Sequence, residues 1–476
     1  MTEFLIAAAV LIGGYFVYGA LMERIFGIRP KSMTPAYSKA DGVDYIALPT
    51  WKVFLIQFLN IAGLGPIFGA IMGVMFGPAA FLWIVFGTIF AGAVHDYFSG
   101  MISLRSGGAS LPEIVGRELG PGIKLVMRFW SVILLILVGA VFVISPAGLL
   151  DKMTPATLDK TFWIAAIFGY YILATLLPID KLIGNLYPIF GLALLFMAAG
   201  LFAILVFGGH DIPTGFADGL ASRQGDGAHP IFPMMFVSIA CGAISGFHAT
   251  QSPMMARCLK NERLARPIFY GAMVAEGLVA LIWAAAAIAF TGGYPHLQAY
   301  MAEHGANAVE LVNEISMAWL GAFGGILALL GVVMAPITTG DTALRSSRLI
   351  VADFLHIDQK KIVKRLLVSL PIFALCFLVM CIDFNVLWRY FAWCNQTLAV
   401  FTLWAITVWL ARHRKAYIVT LLPAMFMTAV SVSYLLFARR PEGLGLPWSL
   451  ATGIGCTVAV ALLILFGARK KSLTRH

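Results

Sequence analysis

A chain of 476 residues, 60% hydrophobic and only 12% charged, with a mean hydropathy of +0.89, cannot fold as an ordinary water-soluble domain. Its formal charge of +10 is carried largely by short loops between apolar runs, so membrane topology accounts for it without a nucleic-acid partner. The six cysteines show no CxxC spacing and point neither to a disulfide framework nor to structural zinc.

Apolar runs long enough to cross roughly 30 Å of hydrocarbon recur along the whole length. They lie near 3–22, 51–76, 79–103, 125–150, 161–178, 183–207, 231–251, 267–291, 316–338, 365–383, 386–410, 416–437 and 447–468. The expectation is an all-α polytopic membrane protein of about 13 transmembrane helices, since helices satisfy their own backbone hydrogen bonds in lipid. Arg and Lys gather on alternate loops; the opposite side keeps only Lys152, Lys160, Arg223, Arg439 and Arg440. By the positive-inside rule the N-terminus faces outward and the C-terminus the cytoplasm.

The first run follows Met1-Thr2-Glu3, with neither a basic leader nor a small-residue cleavage site, and reads as a retained helix. The second, Trp51 to Phe76, is interrupted by Gly63-Leu64-Gly65-Pro66-Ile67, where proline lacks the N–H of a helical turn and the glycines weaken it. Near the inner end of the third run stands His95-Asp96, whose plain reading is a salt-bridged helix end; its role stays open. The seventh run, Ile231 to about Gln251, is interrupted by Gly242-Ala243-Ile244-Ser245-Gly246 and followed at once by His248. A half-helix starting there would present free N–H groups and a positive dipole end to an anion, or His248 is simply a buried, hydrogen-bonded histidine. Glu276 lies about nine residues into the eighth run with no basic neighbour in the local sequence; it suits a proton carrier or a bond to an adjacent helix.

The ninth run closes on Pro336-Ile337-Thr338-Thr339-Gly340-Asp341-Thr342, oxygen ligands for Na⁺ or a cap for the next helix, and Asp341 to Arg365 reads as a basic inner loop. Asn395 and Gln396, in the eleventh run, line a cavity or bond helix to helix. Both glycine breaks also satisfy small-xxx-small packing, in Gly69-xxx-Gly73 and Gly242-xxx-Gly246. Two interrupted helices five spans apart and opposite in direction nevertheless imply a transporter binding site at the interface of an inverted five-plus-five repeat. Residues 51–207 form its first half and 231–410 its second, with 1–50 an added helix and loop and 416–468 peripheral. No HExxH, GxSxG, Walker A or EF-hand pattern occurs, so an enzyme is not expected.

The stretches MTPAYSKADGVDY, IAGLGPIFGAIMG, FAGAVHDYFSGMISLRSGGASLPEIVGRELG, CGAISGFH, ITTGDTALRSSRLIVADFL and NVLWRYFAWCNQTLAV resemble, in order, the carbon starvation protein family of bacterial inner-membrane transporters. The resemblance implies the LeuT-like amino acid–polyamine–cation fold with broken core helices 1 and 6, and cation-driven uptake of peptides or pyruvate during carbon limitation. Longer members carry a Ser-Gly-Thr-Thr-Pro run where this chain has Ala249 to Met254, and an additional C-terminal region. The expected function is a secondary active transporter of small organic nutrients, leaning to pyruvate-like carboxylates, with peptides the alternative and a passive channel or a membrane enzyme using His95, Asp96 and His248 the rivals. Gly63, Gly65, Pro66, Gly242, Ser245, Gly246, His248, Asn395 and Gln396 form the expected substrate shell, and Glu276 or Thr338, Thr339 and Asp341 couple the ion, a proton or Na⁺. No cofactor is expected; the other partner is the lipid bilayer.

Overall fold

A computed structural model describes residues 1–476 except 43, 177–178, 226–228, 305–307, 360, 440–442 and 474–476. Arg440 and the end of the run expected at 161–178 therefore lie outside the described residues. The described chain is helical: α1 Thr2–Phe26, α2 Thr50–Ala62, α3 Gly65–Val74, α4 Ala79–Arg105, α5 Leu111–Leu119, α6 Pro121–Met153, α7 Lys160–Leu176 and α8 Ile179–Phe207 in its first part. The second part holds α9 His248–Ala256, α10 Gly271–Thr291, α11 Ala308–Ala328, α12 Met334–Leu355, α13 Ile362–Val379, α14 Phe384–Arg412, α15 Ile418–Phe437 and α16 Trp448–Leu473. Among the described residues 9 unbroken helices are long and apolar enough to cross a membrane, or 10 if α2 and α3 count as one bent span. The expected spans missing from that set are 161–178 (α7), the broken 231–251, and 316–338, which is kinked at Gly321 (φ 61°, ψ −154°).

The first break is shorter than expected. Gly63, at φ 30° and ψ −134°, ends α2 in a conformation that favours glycine, but the chain is helical again from Gly65, and α3 leaves α2 at 51°. Pro66 sits in the first turn of the new helix, where its missing N–H costs no bond, so unwinding stops before Ile67. The second break is longer than expected. The short helical turn Phe236–Ser238 stops at Ile239 (φ −89°, ψ 60°), and regular helix resumes only at His248.

A further departure concerns residues 341–355, read from sequence as inner loop. They continue α12 through the core, with Arg345 and Arg348 almost completely buried. The guanidinium groups are tolerated there because they donate to the carbonyls of Ala174 (2.9 Å) and Thr175 (3.2 Å) in the last turn of α7, where the helix dipole also favours positive charge.

The basic connections interlock. Arg105 bonds both oxygens of Glu262, at 3.0 and 2.9 Å, while Glu262 also accepts from the Arg29 N–H at 2.6 Å. Arg257 donates to the Gly108 carbonyl at 3.0 Å and stacks over the Tyr45 ring, and Arg348 approaches Asp44 at 4.0 Å.

Candidate functional site

The two breaks meet. A Cβ added to Gly65 would lie 2.1 Å from the Cys241 Cβ, one added to Gly69 3.0 Å from the Ser238 carbonyl, and one added to Gly73 2.1 Å from Ile239. The small-residue stripe of α3 thus admits the unwound backbone of the second break, so packing and placement of the break are one and the same feature. A Cβ added to Gly242 would lie 3.7 Å from the Pro66 Cα, and the Gly242 carbonyl accepts from Thr88 of α4 at 3.1 Å.

Backbone groups freed by the second break are satisfied by α14. Asn395 accepts through its side-chain oxygen from Ser245 Oγ (3.0 Å) and the Phe247 N–H (2.7 Å), and through its carbonyl from the Gly246 N–H (3.2 Å). Gln396 donates toward the carbonyls of Phe236, Ala240 and Ile244 at 3.3–3.4 Å. Buried backbone must find such partners, and these two amides supply them. The N–H groups of His248, Ala249 and Thr250 bond to Ser245, Gly246 and Phe247. The half-helix start that sequence reading expected to be free for an anion is therefore already occupied within the chain.

His248 is turned elsewhere. Its Nδ1 bonds Asp96 Oδ2 at 2.9 Å, His95 Nδ1 bonds Asp96 Oδ1 at 2.7 Å, and His248 Nε2 lies 3.4 Å from Glu276 Oε2, with all four side chains fully inaccessible. Asp96 is thus not paired with an arginine at a helix end; α4 carries it into the centre, between two imidazoles. Pattern reading separated these residues because they come from three elements and only folding joins them. Cys241, which it passed over, completes the group: its sulfur lies 3.7 Å from Ser245 Oγ and 3.6 Å from Asn395 Nδ2.

The expected ion-coupling residues fall into two places. Glu276 belongs to the His–Asp cluster, whereas Thr338, Thr339 and Asp341 stand on α12 against the end of α2. There Thr339 Oγ1 bonds the carbonyls of Leu59 (3.0 Å) and Ala335 (2.8 Å), and its methyl faces Gly63. Thr338 turns back to Ala335, and Asp341 Oδ2 accepts from Tyr187 of α8 at 2.6 Å.

Beyond the breaks, at the helix ends opposite the basic loops, a vestibule of about 330 Å³ opens. Phe68 and Met72 of α3, Val237 and Ser238 before the second break, and Trp388 and Arg389 of α14 line it. On the opposite side, the crevice lined by Ser110, Thr250, Met254, Arg257 and Ser346 encloses only about 10 Å³.

The model of the carbon starvation protein CstA matches residues 1–156 and 150–321, about two thirds of the chain. The chain belongs to the carbon starvation protein CstA family. An uncharacterized membrane protein of Haemophilus influenzae is 47% identical over 339 residues, covering 61% of this chain and 91% of that one. The pyruvate/proton symporter BtsT of Escherichia coli is 29% identical over 58% of this chain and 47% of its own, and the peptide transporter CstA of Bacillus subtilis 27% identical over 71% and 68%. Matches to the other peptide transporters named CstA span about half of their lengths. In three dimensions the chain is similar to a manganese transporter of Eremococcus coleocola (TM-score 0.54, 13% identity, 91% of this chain and 99% of that one). It is also similar to a Na⁺-coupled sialic acid symporter (TM-score 0.50, 14% identity, 95% and 96%). These likenesses establish a helical transporter fold, and the relatives with named activities are transporters.

Proposed function

We propose that the chain is a secondary active importer of small organic nutrients in the cytoplasmic membrane, working by alternating access about the two facing breaks. The observation that carries this reading is the contiguity of three parts: the vestibule, walled by Val237 and Ser238 at the second break; the paired breaks; and the Asp96–His248–Glu276 cluster, which His248 joins to the second break. Unwound backbone at facing helix breaks is where transporters bind substrate, and ionisable groups buried beside it are where they bind coupling ions. In the inverted-repeat reading, residues 51–207 and 231–410 are the halves that rock against each other.

The substrate class is a small carboxylate of the pyruvate type. Arg389 in the vestibule wall supports it, since a guanidinium matches a carboxylate in charge and in geometry, and so does the named activity of BtsT. The approach is through the vestibule to the breaks themselves, where Gly63, Gly65, Pro66, Gly242, Ser245 and Gly246 form the substrate shell and Asn395 and Gln396 hold the second break open. Glu276 and His248 couple the proton. Sodium at Thr338, Thr339 and Asp341 is the second reading, favoured by the Asp341 Oδ1 atom, which is buried and has no hydrogen-bond partner among the described residues.

Uptake of labelled pyruvate and of a dipeptide into proteoliposomes, under imposed proton or sodium gradients, tests this. Accumulation of pyruvate driven by protons is expected. Equal rates without any gradient would make the protein a passive channel, and accumulation of the dipeptide alone would assign it to peptides.

A further inference from the structure

Cys241, His248 and Glu276 present a sulfur, a nitrogen and a carboxylate oxygen within 4.8 Å of one another, all buried. The donors come from three places: the second break, the first residue of α9, and the second turn of α10. Buried polar atoms are almost always hydrogen-bonded, yet both Glu276 oxygens and His248 Nε2 have no hydrogen-bond partner among the described residues. Asp96, accepting from His248 Nδ1 at 2.9 Å, places that ring's proton on Nδ1 and turns the Nε2 lone pair toward Cys241 and Glu276. A carboxylate behind an imidazole is the arrangement that orients metal-binding histidines and raises their basicity.

The geometry points to a site for one thiophilic divalent transition-metal ion of the Zn²⁺ class, ligated by Cys241 Sγ, His248 Nε2 and Glu276. The mixed sulfur, nitrogen and oxygen set selects against Mg²⁺ and Ca²⁺, which take oxygen ligands. Tetrahedral Zn²⁺, with bonds of about 2.0–2.3 Å, spaces its donors about 3.3–3.8 Å apart. The His248–Glu276 pair, at 3.4 Å, already has that spacing, and Cys241 needs to close by at most about 1 Å. On ligation the thiol gives its proton to bulk water, and the fourth position is left to water or a small anion. Such an ion ties the second break and α9 to α10. Because alternating access requires these elements to move, the bound ion inhibits uptake; this consequence rests on the transport reading, whereas the binding does not.

The test is titration of the purified, detergent-solubilised protein with Co²⁺, in a background carrying Cys381→Ser and Cys456→Ser to remove the exposed thiols. One equivalent of Co²⁺ should give a near-ultraviolet thiolate charge-transfer band that Zn²⁺ abolishes. Cys241→Ser should remove the band, and Glu276→Gln should weaken Co²⁺ binding by about tenfold or more. Each variant is first checked for monodisperse elution. Should Cys241→Ser misfold, Asp96→Asn serves instead, with the band kept and the affinity lowered. No band, or a band that survives Cys241→Ser, overturns the site. In proteoliposomes, Zn²⁺ should slow uptake by the intact protein; a normal rate at saturating Zn²⁺ would overturn the locking. Failure to observe any uptake would sink the transport reading and leave the Co²⁺ result standing.

Discussion

Replacing Glu276 by Gln keeps the shape of the side chain but removes its capacity to carry a proton. If protons drive uptake through Glu276 and His248, the variant should lose gradient-driven accumulation while exchange of labelled for unlabelled substrate continues. Accumulation at the normal level would take Glu276 out of coupling and favour Asp341. Arg389 makes a separate prediction, because it lies in the vestibule wall and not in the buried cluster. Arg389→Gln should raise KM for a carboxylate about tenfold, the effect of losing roughly 1.5 kcal/mol from one charge-assisted hydrogen bond, and leave a neutral analogue unaffected. An unchanged KM would locate carboxylate recognition elsewhere. At this scale the sequence disclosed which residues are costly in a membrane, since Glu276, His248 and Asp96 stood out by type and position. It could not disclose that they touch, nor that Asn395 and the local turns consume the N–H groups first offered to an anion.

The breaks were legible as elements because glycine and proline act locally on the backbone, while their lengths depended on tertiary partners. Gln396 and Asn395 stabilise open backbone from Ile239 to Phe247, and nothing near residues 239–241 in sequence foretells that support. Buried α12 was missed for a related reason: its arginines look like loop residues until the carbonyl ends of α7 are brought to them. Packing at the breaks is testable by stability. A Cβ at position 246 would lie 2.3 Å from the Ala399 nitrogen and 2.4 Å from the Asn395 carbonyl, backbone atoms that cannot rotate away. Gly246→Ala should therefore destabilise by about 1–3 kcal/mol in thermal or denaturant unfolding. Gly148→Ala, in α6 with nothing within 4 Å of its Cβ position, should be neutral or gain up to about 1 kcal/mol. Equal effects would refute close packing at the second break. In α5, burial would raise the Glu113 carboxyl, but hydrogen bonds and charge from Lys124 and Arg128 outweigh it and hold the group below its ordinary value. A lowered folded-state value means that its stabilisation is complete above the usual carboxylate range and is lost as pH falls through the depressed one. Hydrogen exchange in α5 should accordingly stay slow from neutral pH down through the ordinary glutamate range and quicken, beyond the intrinsic pH effect, only below it.

At the scale of the whole molecule, composition and apolar periodicity gave the class without ambiguity, and the family motifs gave the architecture, because both are properties of many residues together. Conformational state was not legible, since it depends on which set of loops closes. The structure holds a vestibule of about 330 Å³ on one side and a crevice of about 10 Å³ on the other, where Arg105–Glu262, Arg257–Gly108 and Arg348–Asp44 join the basic segments. In the proposed alternating-access cycle these contacts belong to one end state, so weakening them should shift the population toward the state open on the side of the basic loops. Glu262 is the best lever, because it holds Arg105 and the Arg29 backbone together and lies far along the chain from both. Loss of a largely buried, doubly bonded pair of this kind costs roughly 1–3 kcal/mol, enough to change a two-state population about tenfold. The readout is a cysteine introduced by Ser110→Cys at the crevice, in a background without the exposed Cys381 and Cys456. With Glu262→Gln added, a membrane-impermeant maleimide supplied from the inner side should modify that thiol about tenfold faster. Accessibility of the vestibule, followed by a thiol at Ser238→Cys, should fall in the same variant, because the two openings exclude each other in a carrier. Faster labelling on the inside without any loss on the outside would mean that Glu262 merely ties down a loop, and the link between the inner ion pairs and the vestibule would be broken.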